Sequence, residues 1–442
     1  MQRRHGFLLA LALLGLCAAS GPARANEARE RWERLCQIRK DKFDLILPQA
    51  LRENAIDMWI VMNKEGHYDP LYEDLGRGYP GSGGVGFYVF TDRGGDRIER
   101  VALGMDGYLL ERCRGAYDRV VETFDLQKFV AERNPRRIAV NMSEEIGAAD
   151  GLSHTGWQYL TKTLGEPWAS RLVSAERLVS DFRSRRVASE IAAFAEAAEL
   201  SRTLAEEALS NRVITPGVTT LEEVAWWLEE ELRRRGLGSS FDMPSVYVTG
   251  PKGIEALSDD HIIERGDFLI IDWGVCHLNF CTDIKRQAYV LKPGERAAPP
   301  GLQHAFDEAL KVREVIRRTV RPGRRADEML RTINEKIAQA GYVLMKEFNQ
   351  PTATPKTEVI VGCHSVGNLG HGVGPSMAWF TPLRLTYEIR PTNLFSIEFF
   401  AYTPAPEWGG KKVRIPLEDD AIVTERGLEW LYPPTERILL IK

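Results

Sequence analysis

The residues that could do chemistry in this chain are acids placed where acids are expensive. Asp272 follows Leu269-Ile270-Ile271 inside an apolar strand-like run. A carboxylate there costs free energy unless a cation or hydrogen-bond donors meet it. The run continues through residues 273–276 into 280–286, which carries Asp283, and the two halves read as a hairpin. A turn centred on His277-Leu278 would set Asp272 directly opposite Asp283, on one face, with close Cβ atoms. Two like charges so placed repel, and a divalent cation between them removes the conflict. A solvated edge pair, or a pair sharing one proton, would also satisfy this stretch.

A second cluster spans 363–375, where His371 follows His364 by seven positions among glycines at 367, 370, 372 and 374. Glycine lets the backbone pass close to a ligand because no Cβ intervenes. Glu398 is another acid in an apolar run, Phe395-Ser-Ile-Glu-Phe-Phe400. Glu418 stands beside Asp419 and Asp420, so a charged turn is its plain alternative. Together Asp272, Asp283, His364, Glu398 and Glu418 form a carboxylate-rich set with one imidazole, suited to manganese, iron, cobalt or zinc in pairs. Such a pair activates water for attack on a carbonyl and stabilises the oxyanion that results.

These side chains need rigid elements to bring them together. Residues 26–180 alternate short strands (56–62, 84–91, 137–141) with helical or loop-like stretches. The Gly81-Ser-Gly-Gly84 stretch lacks a following Lys-Ser/Thr, which argues against a phosphate loop. A boundary falls near 180–186. Apolar residues Ile191, Phe194, Ala198, Leu200 and Leu204 then predict a helix from 188 to about 209. Thr220 reads as the N-cap of a second helix, with Glu222 and Glu223 in its first turn. Strands at 245–248, 267–276 and 280–291 follow, then helices at about 302–320 and 326–340, then strands at 394–402, 413–416 and 421–424. Two helices then strands, twice over, suggests a duplicated α/β half.

The order Asp, Asp eleven later, His, Glu, Glu resembles the pita-bread metallopeptidases, a family that includes methionine and Xaa-Pro aminopeptidases, prolidase and creatinase. Gly266-Asp-Phe-Leu-Ile-Ile-Asp272 with Trp273-Gly274 is similar to that family's GD-apolar-D-x-G strand, and Glu418-Asp-Asp-Ala-Ile-Val-Thr424 to its closing strand. The resemblance implies an α/β (α+β) chain: a pita-bread domain over 184–442 behind a creatinase-like α/β domain over 26–183. It also implies two divalent metal ions, manganese first with cobalt, zinc or iron as alternatives. Asp272, Asp283, His364, Glu398 and Glu418 would be the ligands, and His371 and Glu398 the catalytic pair. His364-Ser-Val-Gly367 with His371 fits the family's ligand and substrate-side histidines; the alternative makes His371 the ligand through Gly370-His-Gly-Val-Gly374. Arg414 is a candidate for orienting a ligand carboxylate.

The chain departs from the pattern on the substrate side. The position 17 residues before Asp272, where the family carries another histidine, is Glu255, and His261 lies at the wrong offset. Phe399-Phe400 replaces a Pro-Gly after the first glutamate, and Pro416-Leu417 precedes Glu418. The activity that the resemblance implies is peptide hydrolysis of the Xaa-Pro aminopeptidase or dipeptidase type. Alternatives are C–N hydrolysis of a small non-peptide or a lyase on the same centre, and a non-catalytic binding protein on the same fold.

Composition bounds the remaining possibilities. The 442 residues suit two domains, with 44% hydrophobic and 27% charged residues. Residues 1–25 read as a cleaved secretory signal, with Arg3, Arg4 and His5, an apolar run over 7–19 and Ala23-Arg-Ala25. An exported, periplasmic protein is expected. Losing Arg3, Arg4 and Arg24 moves the formal charge from -4 to -7. That acidity, with no basic block, disfavours nucleic acid and anionic membranes as partners. A small peptide or amide substrate is expected, and the resemblance implies a homodimer. Five cysteines remain after the signal (36, 113, 276, 281, 363), an odd number at wide spacing that predicts no disulfide framework. Cys276 and Cys281 could meet across the hairpin, as a bridge or as reduced, buried thiols.

Overall fold

A computed structural model describes residues 26–95, 97–250, 253–256, 260–367 and 372–442. The signal-like segment 1–25, His371 and the side chain of Glu255 lie outside the described residues.

The first half is built on a six-stranded mixed sheet, ordered Arg119–Val121, Ile98–Leu103, Val85–Asp92, Met58–Lys64, Ile138–Val140, Leu172–Ser174. Its central strands are apolar at most positions because both faces are covered. Trp59, Val61, Tyr88 and Phe90 pack into one core, while Met58, Ile60, Phe87 and Val89 pack into the other, as the two-residue period of a strand requires. Helices Glu27–Asp41 and Glu176–Ser184 lie on the first of these faces.

From residue 188 the order repeats: two helices, then a sheet. Helices Ala188–Ala208 and Leu221–Arg234 pack on a five-stranded sheet ordered Leu439–Ile441, Ile284–Val290, Phe268–Trp273, Ser245–Gly250, Gly253–Ala256. Thr220 caps the second helix as its sequence predicts. Its side chain accepts from the Glu223 N–H while Glu223 accepts from the Thr220 N–H, a reciprocal pair worth about 1 kcal/mol. Helices Pro300–Thr319 and Ala326–Gln339 then cover an eight-stranded sheet whose main path runs Lys412–Leu417, Phe399–Pro404, Glu358–Ser365, Leu394–Ser396, Asp420–Thr424, Gly427–Trp430. Among the described residues, no helix is long and apolar enough to cross a membrane.

Three expectations from the sequence are corrected. The hairpin turns at Leu278-Asn279, both at positive φ, rather than at His277-Leu278. Positive φ at both central positions is the type I′ form of a two-residue hairpin turn, and Asn279 tolerates that conformation better than most residues. Moving the turn by one position moves every partner by two, so Asp272 pairs with Lys285 and not with Asp283. The parity is unchanged, so Asp283, two residues from Lys285, stays on the Asp272 face.

The expected single strand over 394–402 is two strands, Leu394–Ser396 and Phe399–Pro404, with Glu398 at the break. Cysteine pairing is also more extensive than expected. Cys36–Cys113 and Cys276–Cys281 are disulfides, and Cys363 is a free buried thiol. The wide spacing of Cys36 and Cys113 concealed their approach, which the fold brings about by placing both in one core.

Candidate metal centre

The Glu358–Ser365 strand, absent from the sequence reading, is the spine of the site. It pairs on one side with both halves of the broken strand: Val361 lies opposite Phe399, and His364 opposite Ser396. The next strands continue the register, with Phe399 opposite Leu417 and Ser396 opposite Asp420. Glu398 and Glu418 therefore fall side by side at two matching interruptions, with Gly362 beside Glu398. The Gly362 N–H donates to the Glu398 carbonyl at 3.0 Å, and the Ile397 N–H to the Asp419 carbonyl at 2.9 Å.

His364 faces the acids. Its Nε2 lies 3.2 Å from Glu418 Oε1 and 3.8 Å from both Asp283 Oδ2 and Glu398 Oε2. The Nδ1–H donates to the Ser365 carbonyl at 3.0 Å, which fixes the ring and leaves Nε2 turned to the carboxylates. Asp283, His364 and Glu418 each offer a ligand atom, all within 4.8 Å of one another, and all three residues are buried. This donor set of two carboxylates and an imidazole, with Glu398 alongside, fits a divalent transition ion.

Lys285 completes the cluster, and its role was missed in the sequence. Its ammonium lies 3.0 Å from Asp272 Oδ2 and 2.8 Å from Glu398 Oε1, and it also contacts Glu418 Oε2. The signal was present: Lys285 follows Asp283 by two, so any strand that turns Asp283 inward turns Lys285 inward too.

The electrostatics follow from burial and crowding. Burial, joined by the charges of Glu418 and Asp272, raises Asp283 well above the ordinary carboxylate range. Burial likewise raises Asp272, against the opposing pull of Lys285. Burial pushes Glu398 up to about 7, again against Lys285. Glu418 goes the other way, down to about 2: burial raises it, but Lys285 and the His364 hydrogen bond together outweigh that. His364 is raised, because Glu418 and Glu398 overcome the desolvation that would lower it.

Around this centre stand residues whose roles composition alone concealed. Ser396 Oγ donates to Glu418 Oε1 at 2.6 Å. Asp420 accepts from the Asp283 N–H at 3.4 Å. Asp419 points the opposite way and is held by Arg286 at 3.0 Å, Arg313 at 3.2 Å, and the Tyr432 hydroxyl at 3.1 Å. Trp379 and Phe380, 37% and 39% exposed, form an aromatic wall with Phe348 and Phe400. The Phe380 ring lies 5.9 Å from the His364 ring. Arg414 does not orient a ligand: it donates to Asn349 Oδ1 at 3.0 Å and lies over the Tyr247 and Phe400 rings. His261 is paired with Asp267 at 3.0 Å.

The sequence pattern of the family described as Metallopeptidase family M24 matches residues 192–425, more than half of the chain and all five of these acids and imidazole. The chain belongs to metallopeptidase family M24. M24 members are metal-dependent peptidases, hence hydrolases, and the family is dinuclear-metal dependent. Neither the non-peptide nor the non-catalytic alternative is favoured. This M24 chain is 27% identical over 281 residues to an uncharacterized peptidase of Bacillus subtilis, covering 61% of this chain and 69% of that one. It is 25% identical over 268 residues to the Xaa-Pro dipeptidase of Pyrococcus furiosus, covering 60% and 67%. Other curated relatives are spanned over slightly less than two thirds of their length, 63% and 65% for two of them. Among solved structures, the X-Pro aminopeptidase of Thermotoga maritima superposes with a TM-score of 0.62 at 20% identity, covering 89% of this chain and 99% of that one. The Xaa-Pro dipeptidase of Bacillus anthracis gives 0.59 at 20%, covering 93% and 99%. The fold is thus that of the M24 aminopeptidases and dipeptidases, with the N-terminal α/β region included.

Proposed function

We propose that this chain hydrolyses small peptides in the manner of the Xaa-Pro aminopeptidases and dipeptidases it resembles. The observation that carries this reading is the convergence of His364 Nε2 with Asp283, Glu398 and Glu418 where the five-stranded and eight-stranded sheets meet. Asp283, His364 and Glu418 would hold a divalent ion, with Glu398 and Asp272 completing the acid set. A bound ion supplies Lewis acidity, which lowers the pKa of water and polarises a substrate carbonyl. Manganese is the first candidate, with cobalt, zinc or iron as alternatives.

The protein's own groups do the rest. Glu398, raised toward neutrality by burial, is suited to take a proton from the attacking water and return it to the leaving amine. His371 is assigned to the substrate side, where its imidazole would donate a hydrogen bond to the substrate. The exposed rings of Trp379 and Phe380 offer an apolar wall for a side chain or a proline ring.

The same proposal covers the whole protein. We place the division into two domains between 183 and 184, one residue before the end of helix Glu176–Ser184 and ahead of helix Ala188–Ala208. Export is supported by the signal-like residues 1–25 and by two disulfides, which persist in oxidising compartments. The family resemblance supports a homodimer, which sedimentation would test.

The activity test is a panel of dipeptides and tripeptides with and without proline in the second position, assayed with each of the four ions. Metal-dependent release of free amino acids is expected, abolished in Asp283→Asn. No hydrolysis of any peptide by metal-loaded, folded protein would remove the assignment.

A further inference from the structure

We infer that the Lys285 ammonium takes one of the two cation positions of the M24 centre, so that this chain binds a single divalent ion at Asp283, His364 and Glu418. The inference rests on the metallopeptidase reading and concerns how that site is filled.

Position is the first argument. Three of the four acids, Asp272, Glu398 and Glu418, meet the ammonium, while Asp283, His364 and Glu418 remain close enough together to share one ion. Glu418 is common to both groups: Oε2 meets Lys285 and Oε1 meets His364. The acids are thus divided into two adjacent cation positions with one shared carboxylate, and the chain itself fills one of them.

Lys285 is also held there. Pairing with Asp272 fixes its backbone on one side, and its N–H donates to the Glu418 carbonyl at 3.1 Å on the other. The side chain is 4% exposed. It lies 5.8 Å from the centre of the Phe400 ring, and the Arg414 guanidinium lies 5.7 Å from the same centre. To admit a second ion at this position, the buried Lys285 ammonium would have to leave three carboxylates at once, and breaking buried ion pairs is costly.

Charge balance agrees. One dication and one ammonium neutralise three of the four carboxylate charges at Asp272, Asp283, Glu398 and Glu418. Two dications bridged by hydroxide neutralise the same three. Two dications bridged by hydroxide with Lys285 still in place would neutralise all four, one charge more than either of these fillings. In the arrangement inferred here, the second position offers N–H donors in place of a second Lewis acid.

Equilibrium dialysis against Mn²⁺, followed by elemental analysis and electron paramagnetic resonance, tests this without reference to activity. The native chain should hold one ion with the spectrum of an isolated Mn²⁺. Lys285→Thr, which removes the ammonium and adds an oxygen, should hold two ions with the spectrum of an exchange-coupled pair, and Lys285→Arg should stay at one. Two ions in the native chain would overturn the inference while leaving the peptidase reading intact, and so would a single ion in a folded Lys285→Thr. No bound ion would overturn both. If the threonine variant fails to fold, the native count and spectrum decide.

Discussion

Lys285 grips Glu418 twice: its backbone N–H donates to the Glu418 carbonyl at 3.1 Å, and its ammonium contacts the Glu418 carboxylate. The two residues belong to different halves of the repeated architecture, one next to the hairpin of the five-stranded sheet and one at a break in the eight-stranded sheet. This double link joins the halves at the point where the acids gather. Asp272 and Asp283 come from one sheet, and His364, Glu398 and Glu418 from the other, so neither half holds the site alone.

Metal removal should therefore destabilise the fold as well as stop the reaction. Without an ion, the only cationic partners described for the crowded acids are Lys285 and, when protonated, His364. An ion present at about 100 times its Kd stabilises the native state by roughly 2.7 kcal/mol. Calorimetry with and without a chelator should show Tm falling by several degrees on chelation and returning on reloading. In His364→Ala the Tm should not respond to the ion.

Gly362→Ala should damage the site more than the fold. A Cβ at Gly362 would lie 2.9 Å from the Trp379 ring and 3.1 Å from Glu398 Oε2. Overpacking of this kind costs about 1–3 kcal/mol. Displacing Glu398 should lower kcat by roughly 10–100-fold, the range seen when groups that position a metal site are disturbed. Steady-state kinetics beside thermal melts would check this, with unchanged kcat as the contrary result.

What the sequence disclosed and what it withheld have physical causes. Acids in apolar strands stand out because burial penalises them, and that exposed Asp272 and Glu398. Helix Leu221–Arg234 was legible because its cap is a local interaction between Thr220 and Glu223. Lys285 is harder to read despite its spacing from Asp283, because a lysine in a strand ordinarily faces solvent and two of its three acid partners lie over a hundred residues away. The hairpin register was missed by one turn position, since His-Leu and Leu-Asn are both unusual turn centres. The Glu358–Ser365 strand is buried along its whole length and shows no alternation to mark it. Trp379 and Phe380 carry no periodic signal, and their place beside Glu398 is purely tertiary.

The Cys36–Cys113 bridge should contribute strongly to stability. It closes a loop of 77 residues, for which chain entropy gives about 4.5 kcal/mol as an upper figure. The double variant Cys36→Ser/Cys113→Ser should lose several kcal/mol in urea unfolding. The corresponding change at Cys276 and Cys281, only 5 residues apart, should cost less through chain entropy. Equal losses would contradict that explanation.

Stability should also depend on pH through Asp69, far from the metal. Burial raises its carboxyl to about 7, although Leu71 N–H and Asn141 donate to it. The folded pKa exceeds the unfolded one, so between about 4 and 7 the native state holds the proton more tightly. Stability from this group falls as pH rises through that window, by up to roughly 4 kcal/mol. Asp69→Asn should flatten the decline in ΔG between pH 5 and 7. A slope identical to the native protein's would assign the effect elsewhere.

Asp283, His364 and Glu418 are expected to ligate one divalent ion jointly. Anomalous diffraction from crystals grown with Mn²⁺ tests it most directly. A peak at about 2.0–2.3 Å from His364 Nε2 and from oxygens of Asp283 and Glu418 is the expected result. Saturating Mn²⁺ with no peak among these three residues would show that they hold no ion.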